Sequence, residues 1–383
     1  MNDVLSAAII LAGLTAAQIG IFLACIAILF GFIALFTIWR KRSSSLKLER
    51  LKKNPILGPL ENSWWESEAV FNPAAVLEGG KVHLLYRALG RDGISRIGYA
   101  SSKDGIHFDE RLPYPIYSPT KNYGIPETYR VYGPLSYDTQ TYASGGGWGG
   151  CEDPRVVRIG ETLYMTYVAF DGWGFVRMAL TQIGQKNFRA KTWKWKHPVL
   201  LSPPGEIHKN WILFPEKIRG KYAIMHSISP DIQIEYVKDP DDFDGNTFIK
   251  NSRRNGGRKG FWDNWVRGAG PPPLKTPYGW LLLYHAMDER DPNKYKLGAM
   301  LLDLEDPSKV LFRSNEPILS PEVWYENDGK PGVVYSCGAV ILGEELIVYY
   351  GAGDKHIAAA KADLHEFIGK LMRNEHAVLA EVV

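Results

Sequence analysis

The sequence predicts an all-β protein, a five-bladed β-propeller preceded by one N-terminal transmembrane helix. Three observations lead there. A strand-turn-strand pattern recurs five times from about Trp65 onward, each copy alternates apolar and polar residues with a period of two, and an apolar run fills Val4 to Trp39. Residues 1–42 are accordingly expected to form a membrane anchor, 43–63 a juxtamembrane linker and 64–383 the propeller.

The N-terminal expectation rests on length, since about twenty apolar residues cross a bilayer. One helix near Ile19 to Trp39 suffices, and two spans with a turn between them do not fit. Asp3, with no Lys or Arg ahead of the apolar run, argues against a cleaved signal peptide. Arg40-Lys41-Arg42 follows the run. The positive-inside rule puts that side in the cytoplasm, so the expected localisation is a single-pass membrane protein with a cytoplasmic C-terminal domain. Ser43 to Lys53 is polar and basic and reads as the linker.

In the first copy Asn72-Pro73 opens an apolar strand, Glu78-Gly79-Gly80 turns it, and Val82 to Arg87 runs back. The second opens on Asp153-Pro154 and returns through Leu163 to Tyr167, and the third joins Phe214-Pro215 to Tyr222–His226. The fourth joins Gly270-Pro271 to Trp280–His285, and the fifth Cys337-Gly338 to Leu346–Gly351. Such small sheets, apolar on both faces, cannot bury themselves alone, and radial stacking satisfies them. A β-sandwich would not require the same polar position to recur after each second strand. A net charge of +3, much of it beside the apolar run, gives no support to a nucleic-acid partner. Three cysteines make no disulfide framework, so Cys151 and Cys337 read as free buried thiols.

In a propeller the inner strands converge on one channel, and the repeat alignment collects two rings of unlike residues there. One holds Asn72, Asp153, Phe214, Gly270 and Cys337; the other holds Arg87, Val168, His226, His285 and Gly351. Asp153, held before Pro154, is the sharpest candidate for a general acid, with a pKa raised by removal from water. Asp before Pro is also a common turn starter. Arg87, Arg177, Lys209 and His226 around the same axis favour the functional reading, because clustered cations suit an anionic co-substrate such as phosphate. Trp148, in the glycine run Ser144 to Gly150, could close over a ligand. That run has no following Lys-Ser/Thr, and neither a His-Glu-x-x-His zinc spacing nor a Gly-x-Ser-x-Gly elbow occurs. No metal and no cofactor are expected.

These residues resemble glycoside hydrolase family 130, the β-mannoside phosphorylases and related β-mannosidases. The carriers are Asn72-Pro73-Ala74, Tyr86-Arg87-Ala88, Ser101 to Gly105, Glu152-Asp153-Pro154-Arg155, Phe214-Pro215-Glu216-Lys217, Tyr284-His285 and Tyr350 to Asp354. The resemblance implies a five-bladed propeller in which Asp153 is the general acid, acting through a sugar hydroxyl. Inorganic phosphate, as co-substrate, would attack the anomeric carbon and release α-mannose 1-phosphate with inversion. It also implies Lys209, His226, Arg87 and Arg177 as phosphate ligands, and Asn72 and Asp354 as holders of the non-reducing sugar; His285, Tyr284 and Trp148 are further expected sugar contacts. The competing readings are an inverting β-mannosidase, with Glu216, Asp231 or Glu289 as base, and a non-catalytic, membrane-tethered glycan-binding propeller.

Overall fold

A computed structural model describes residues 21, 23–31, 46–119, 146–147, 149–171, 176–244, 246–250 and 256–373. The chain divides into a unit at Met1–Ser45 and another at Leu46–Val383. In the first, residues 21 and 23–31 are helical. No helix among the described residues is long and apolar enough to cross a membrane. The expected transmembrane helix is therefore corrected, although much of Ile19 to Trp39 lies outside the described residues. The membrane partner, the single-pass localisation and the cytoplasmic placement fall with it, because the positive-inside argument needs a span to orient.

The second unit is mostly strand. The eight-stranded sheet contains β2 (Ala69–Glu78), β3 (Lys81–Leu89), β4 (Ile94–Ser102), β5 (Glu110–Arg111), β6 (Gly149–Ile159), β7 (Thr162–Asp171), β8 (Val176–Gly184) and β9 (Val199–Leu200). A three-stranded sheet holds β10 (Ile212–Leu213), β11 (Tyr222–Ile228) and β12 (Ile232–Val237). A five-stranded sheet holds β13 (Trp265–Ala269), β14 (Leu274–Thr276), β15 (Gly279–Asp288), β16 (Asp291–Leu302) and β17 (Val310–Arg313). The last joins β18 (Val334–Leu342), β19 (Glu345–Ala352) and β20 (His356–Asp363) to β1 (Glu49–Arg50). Short helices α1 (Gln185–Arg189) and α2 (Leu364–Met372) follow β8 and β20.

The expectation of five separate blades needs correcting. Among the described residues the strand units recur, but in four open sheets, because the first two units are fused by a parallel pairing of β4 with β6. Gly150 makes that seam possible: its φ is +111°, and a Cβ would sit 2.1 Å from the Ser95 carbonyl oxygen. The stretch expected as a linker also behaves otherwise. Leu46, Leu48, Leu51 and Leu57 are buried, and Glu49 pairs with Lys361 on the edge of the last sheet.

Within three of the sheets one buried clasp is repeated. Tyr86 donates to Glu66 (2.9 Å), which also binds Arg111 (2.7 Å). Tyr284 donates to Asp263 (2.6 Å), with Arg313 at 2.6 Å. Tyr350 donates to Glu326 (2.9 Å), with Arg50 at 2.8 Å. A Cβ on Gly98 or Gly298 would meet the Tyr86 or Tyr284 ring at 2.4 Å, so each of these rings lies over a glycine of the next strand. Successive strand residues face opposite ways, so Tyr turns into the packing while the residue after it turns away. Tyr284, expected as a sugar contact, is thus a buried packing residue.

Candidate functional site

Backbone irregularities aim the site. The registers of β2, β6, β13 and β18 each slip, at Phe71/Ala74, Glu152/Arg155, Val266/Gly268 and Ser336/Gly338. An extra residue in one strand bends it and re-aims a side chain. The residues so displaced include Asn72, Asp153, Arg267 and Cys337, and a fifth slip in β11, at Met225/Ser227, displaces His226. Asn72, Asp153, Asn210 and Asp354 have φ of +47°, +48°, +66° and +51°. Asn and Asp tolerate this left-handed region best among residues with a side chain, and such strain gathers at functional sites.

Asp153 is buried and meets Asn72 Nδ2 at 2.7 Å and Arg87 at 3.4 Å. The buried Glu152 beside it receives Arg87 at 2.9 Å through one oxygen and Lys209 at 3.3 Å through the other. Burial alone would raise the Asp153 carboxyl. The charges of Arg87 and Lys209, the Asn72 hydrogen bond and Arg155 together outweigh burial and hold it below the ordinary carboxylate range. The expected raised pKa is therefore corrected: cations and a donor surround this carboxylate and favour its charged form. Asp354 shifts the other way, raised first by burial, against the pull of Lys330, Arg87 and Lys209, with Asp153 adding to the rise.

Lys209, His226 and Arg267 line one cavity of about 120 Å³ together with Asn210, Ser227 and Ser229. Arg155 ties its floor to the acid: it donates to the Asp153 carbonyl (2.9 Å), the Gly270 carbonyl (2.8 Å) and Asn210 Oδ1 (2.8 Å). Tyr335 also donates to Asn210 Oδ1 and stacks on His285 with centroids 3.9 Å apart. A buried acid therefore stands beside a small cationic cavity, an arrangement suited to breaking a bond with an oxyanion as nucleophile.

The profile of glycoside hydrolase family 130, described as beta-1,4-mannooligosaccharide phosphorylase, matches residues 41–373. The chain belongs to glycoside hydrolase family 130. This family 130 chain is 38% identical over 330 residues to the 1,2-beta-oligomannan phosphorylase of Thermoanaerobacter sp. (strain X514), covering 84% of itself and 99% of that relative. It is 31% identical to the beta-1,2-mannobiose phosphorylase of Listeria innocua, covering 88% and 82%. The solved beta-1,2-mannobiose phosphorylase from Listeria innocua, in complex with beta-1,2-mannobiose, superposes with a TM-score of 0.63 at 27% identity, over 85% of this chain and 99% of that one.

Within the family 130 site the structure gathers Asn72, Arg87, Asp153 and Lys209 through contacts, brings Asp354 within their electrostatic reach, and sets His226 with Lys209 around the cavity. Arg177 binds the Ser202 carbonyl (2.8 Å) and lies 4.7 Å from the Phe248 ring centroid. His285 is buried; burial and then Arg155 lower its pKa to about 3, and it accepts from the Ser336 backbone N–H at 2.9 Å. It packs behind Tyr335 as a neutral support. Trp148 lies outside the described residues, while Gly149 and Gly150 of its glycine run belong to β6. Of the candidate bases for hydrolysis, Glu216 pairs with Lys275, Asp231 is exposed, and Glu289 lines a different cavity.

Sequence reasoning missed Arg267, Glu152 and Tyr335. In the fourth unit the prolines after Gly270 drew the alignment three residues too far, whereas the bulge falls at Arg267. The signal was the short Trp265-Val266-Arg267-Gly268 strand just before those prolines.

Proposed function

We propose that this chain is an inverting β-mannoside phosphorylase, with inorganic phosphate as co-substrate and no cofactor. The observation that carries the reading is that Lys209 lines the cationic cavity while its charge acts on Asp153. Phosphate in that cavity would be held by charge-assisted hydrogen bonds from Lys209, Arg267 and His226. One phosphate oxygen attacks the anomeric carbon, the glycosidic C–O bond breaks, and Asp153 supplies, through a sugar hydroxyl, the proton that the departing oxygen takes up. Phosphate is already a nucleophile, so no second carboxylate is needed to activate water. Asn72 and Asp354 hold the non-reducing sugar, and Arg87 orients the acid from behind. The cations of the cavity give a pure glycan binder no work to do.

A general acid must carry its proton, yet Asp153 is held ionised in the free enzyme. The incoming anion resolves this: its charge offsets Lys209, so the carboxyl rises and takes up a proton as the complex forms. The test is incubation with β-1,2- and β-1,4-linked mannosides with and without phosphate. Mannose 1-phosphate should form, and NMR should show it as the α anomer. Equal release of free mannose without phosphate would sink the proposal.

Glu152 sets the strength of this field. In Glu152→Gln the cations lose a counter-charge, so Asp153 should be harder to protonate. The expected result is a kcat lowered roughly tenfold, by a shift on the order of one pKa unit, with its alkaline limb moved to lower pH and no rise in KM for phosphate. An unshifted pH profile with a raised phosphate KM would contradict this.

A further inference from the structure

We propose that Arg50, on the strand that precedes the repeats, is a positioning residue for Asp354 and acts on it through the segment 322–333. The inference rests on the phosphorylase reading above, in which Asp354 holds the non-reducing sugar.

The clasp of the last sheet is assembled differently from the other two. In the first and fourth units the clasp cation, Arg111 or Arg313, sits on a late strand of its own unit, β5 or β17. In the last sheet β1 takes the outer edge beside β20, so the cation comes from the other end of the chain. Arg50 binds both oxygens of the buried Glu326 carboxylate, at 2.8 and 2.9 Å, and also donates to the Ser320 carbonyl. Such a fork fixes direction as well as distance.

Glu326 passes that order toward the site. Its carboxylate accepts from the backbone N–H groups of Glu322 (2.6 Å) and Val323 (3.2 Å), and its carbonyl accepts from those of Gly332 and Val333 (both 3.2 Å). Both ends of the segment are thus drawn to one residue. From its middle the Lys330 N–H donates to the Gly353 carbonyl (2.7 Å), while the Gly353 N–H donates to the Val333 carbonyl (3.1 Å). Gly353 has a φ of +62°, and a Cβ there would lie 2.3 Å from the Asp328 carbonyl oxygen. Asp354 follows at +51°, with Lys330 Nζ 3.8 Å from its Oδ2. A residue with a side chain stays in this region only where its surroundings over-determine it. Here those surroundings are the segment that Arg50 anchors.

The charged groups facing Asp354 are Lys330, Arg87, Asp153 and Lys209, and after burial the pull of Lys330 is the largest influence on its carboxyl. Loosening the segment weakens that pull, so the carboxyl rises further. The ionised form, which accepts from sugar hydroxyls, is then lost at a higher pH as pH falls.

The experiment compares wild type, Arg50→Met, Arg50→Lys, Lys330→Met and the Arg50→Met/Lys330→Met pair on a β-mannoside that the wild type phosphorolyses. Arg50→Met should raise KM for the mannoside roughly 3- to 10-fold and leave KM for phosphate within about twofold of wild type. The acidic limb of kcat/KM for the mannoside should move to higher pH. Lys330→Met should move that limb the same way, and the pair should add little to either single change, because both act on one carboxylate. Arg50→Lys keeps the charge but not the fork and should fall between. A wild-type mannoside KM with an unmoved limb in Arg50→Met overturns the proposal. Equal rises in both KM values, with additive effects in the pair, are the signature of general loosening and also overturn it. Should Arg50→Met not fold, Arg50→Lys decides on the same readouts. Absence of mannose 1-phosphate from the wild type refutes the reading beneath it.

Discussion

Asp153→Asn is expected to lower kcat by about 10²- to 10⁴-fold while the protein stays folded, since that is the usual contribution of a positioned proton donor. The amide is nearly isosteric, and its oxygen can still accept from Asn72, so far-UV circular dichroism and mannoside KM should change little. The second readout is proton uptake. Calorimetric titration with phosphate and mannoside in buffers of different ionisation enthalpy should show protons taken up by the wild type. The uptake follows from a carboxyl held low in the free enzyme and raised in the complex, so it is largest at mildly acidic pH and fades as pH rises. Asp153→Asn should lose it. A variant that keeps a wild-type kcat would remove Asp153 from the chemistry.

The largest stability effect is expected at Arg155. Its buried guanidinium spans the second unit, Asn210 and the fourth unit, with a further contact to the Ala269 carbonyl at 3.3 Å. Arg155→Met keeps much of the volume but strands several buried acceptors, each of which costs about 1–3 kcal/mol when left unpaired. A loss on the order of 3–5 kcal/mol is expected, read as a fall in the urea midpoint at unchanged m-value. Arg155→Lys should recover little, because a point charge cannot serve acceptors on different elements at once. A midpoint equal to wild type would show that the staple is dispensable.

Much of this was legible in the residues before any coordinates. Asn72-Pro73 and Asp153-Pro154 were legible as strand openings, and both prove to lie at bulges. Lys209 and His226 were legible as neighbours because a short hairpin joins them. Arg267 was not, since its bulge has no proline and a proline run nearby imitates one. Tyr284 was misread because alternation along a strand decides which of two adjacent polar-capable residues faces the site, and the glycine that makes room for its ring lies on another strand. Arg177 was placed only by its strand, and composition could not show that it would meet the Ser202 carbonyl. The apolar N-terminal run carried the strongest prior, and it is corrected because no helix among the described residues is long and apolar enough to cross a membrane.

The seam at Gly150 and Ser95 has a mechanical consequence. Asn72 and Asp153, though 81 residues apart, hang from one continuous hydrogen-bonded sheet, and Ser95 itself receives Arg87 Nε at 2.9 Å. The proposed proton donor and its two nearest companions therefore form a single fixed jaw. His226 and Arg267 belong to other sheets and form the opposing jaw. Any relative displacement of the sheets would alter the gap across which the nucleophile travels while leaving the alignment of the donor untouched.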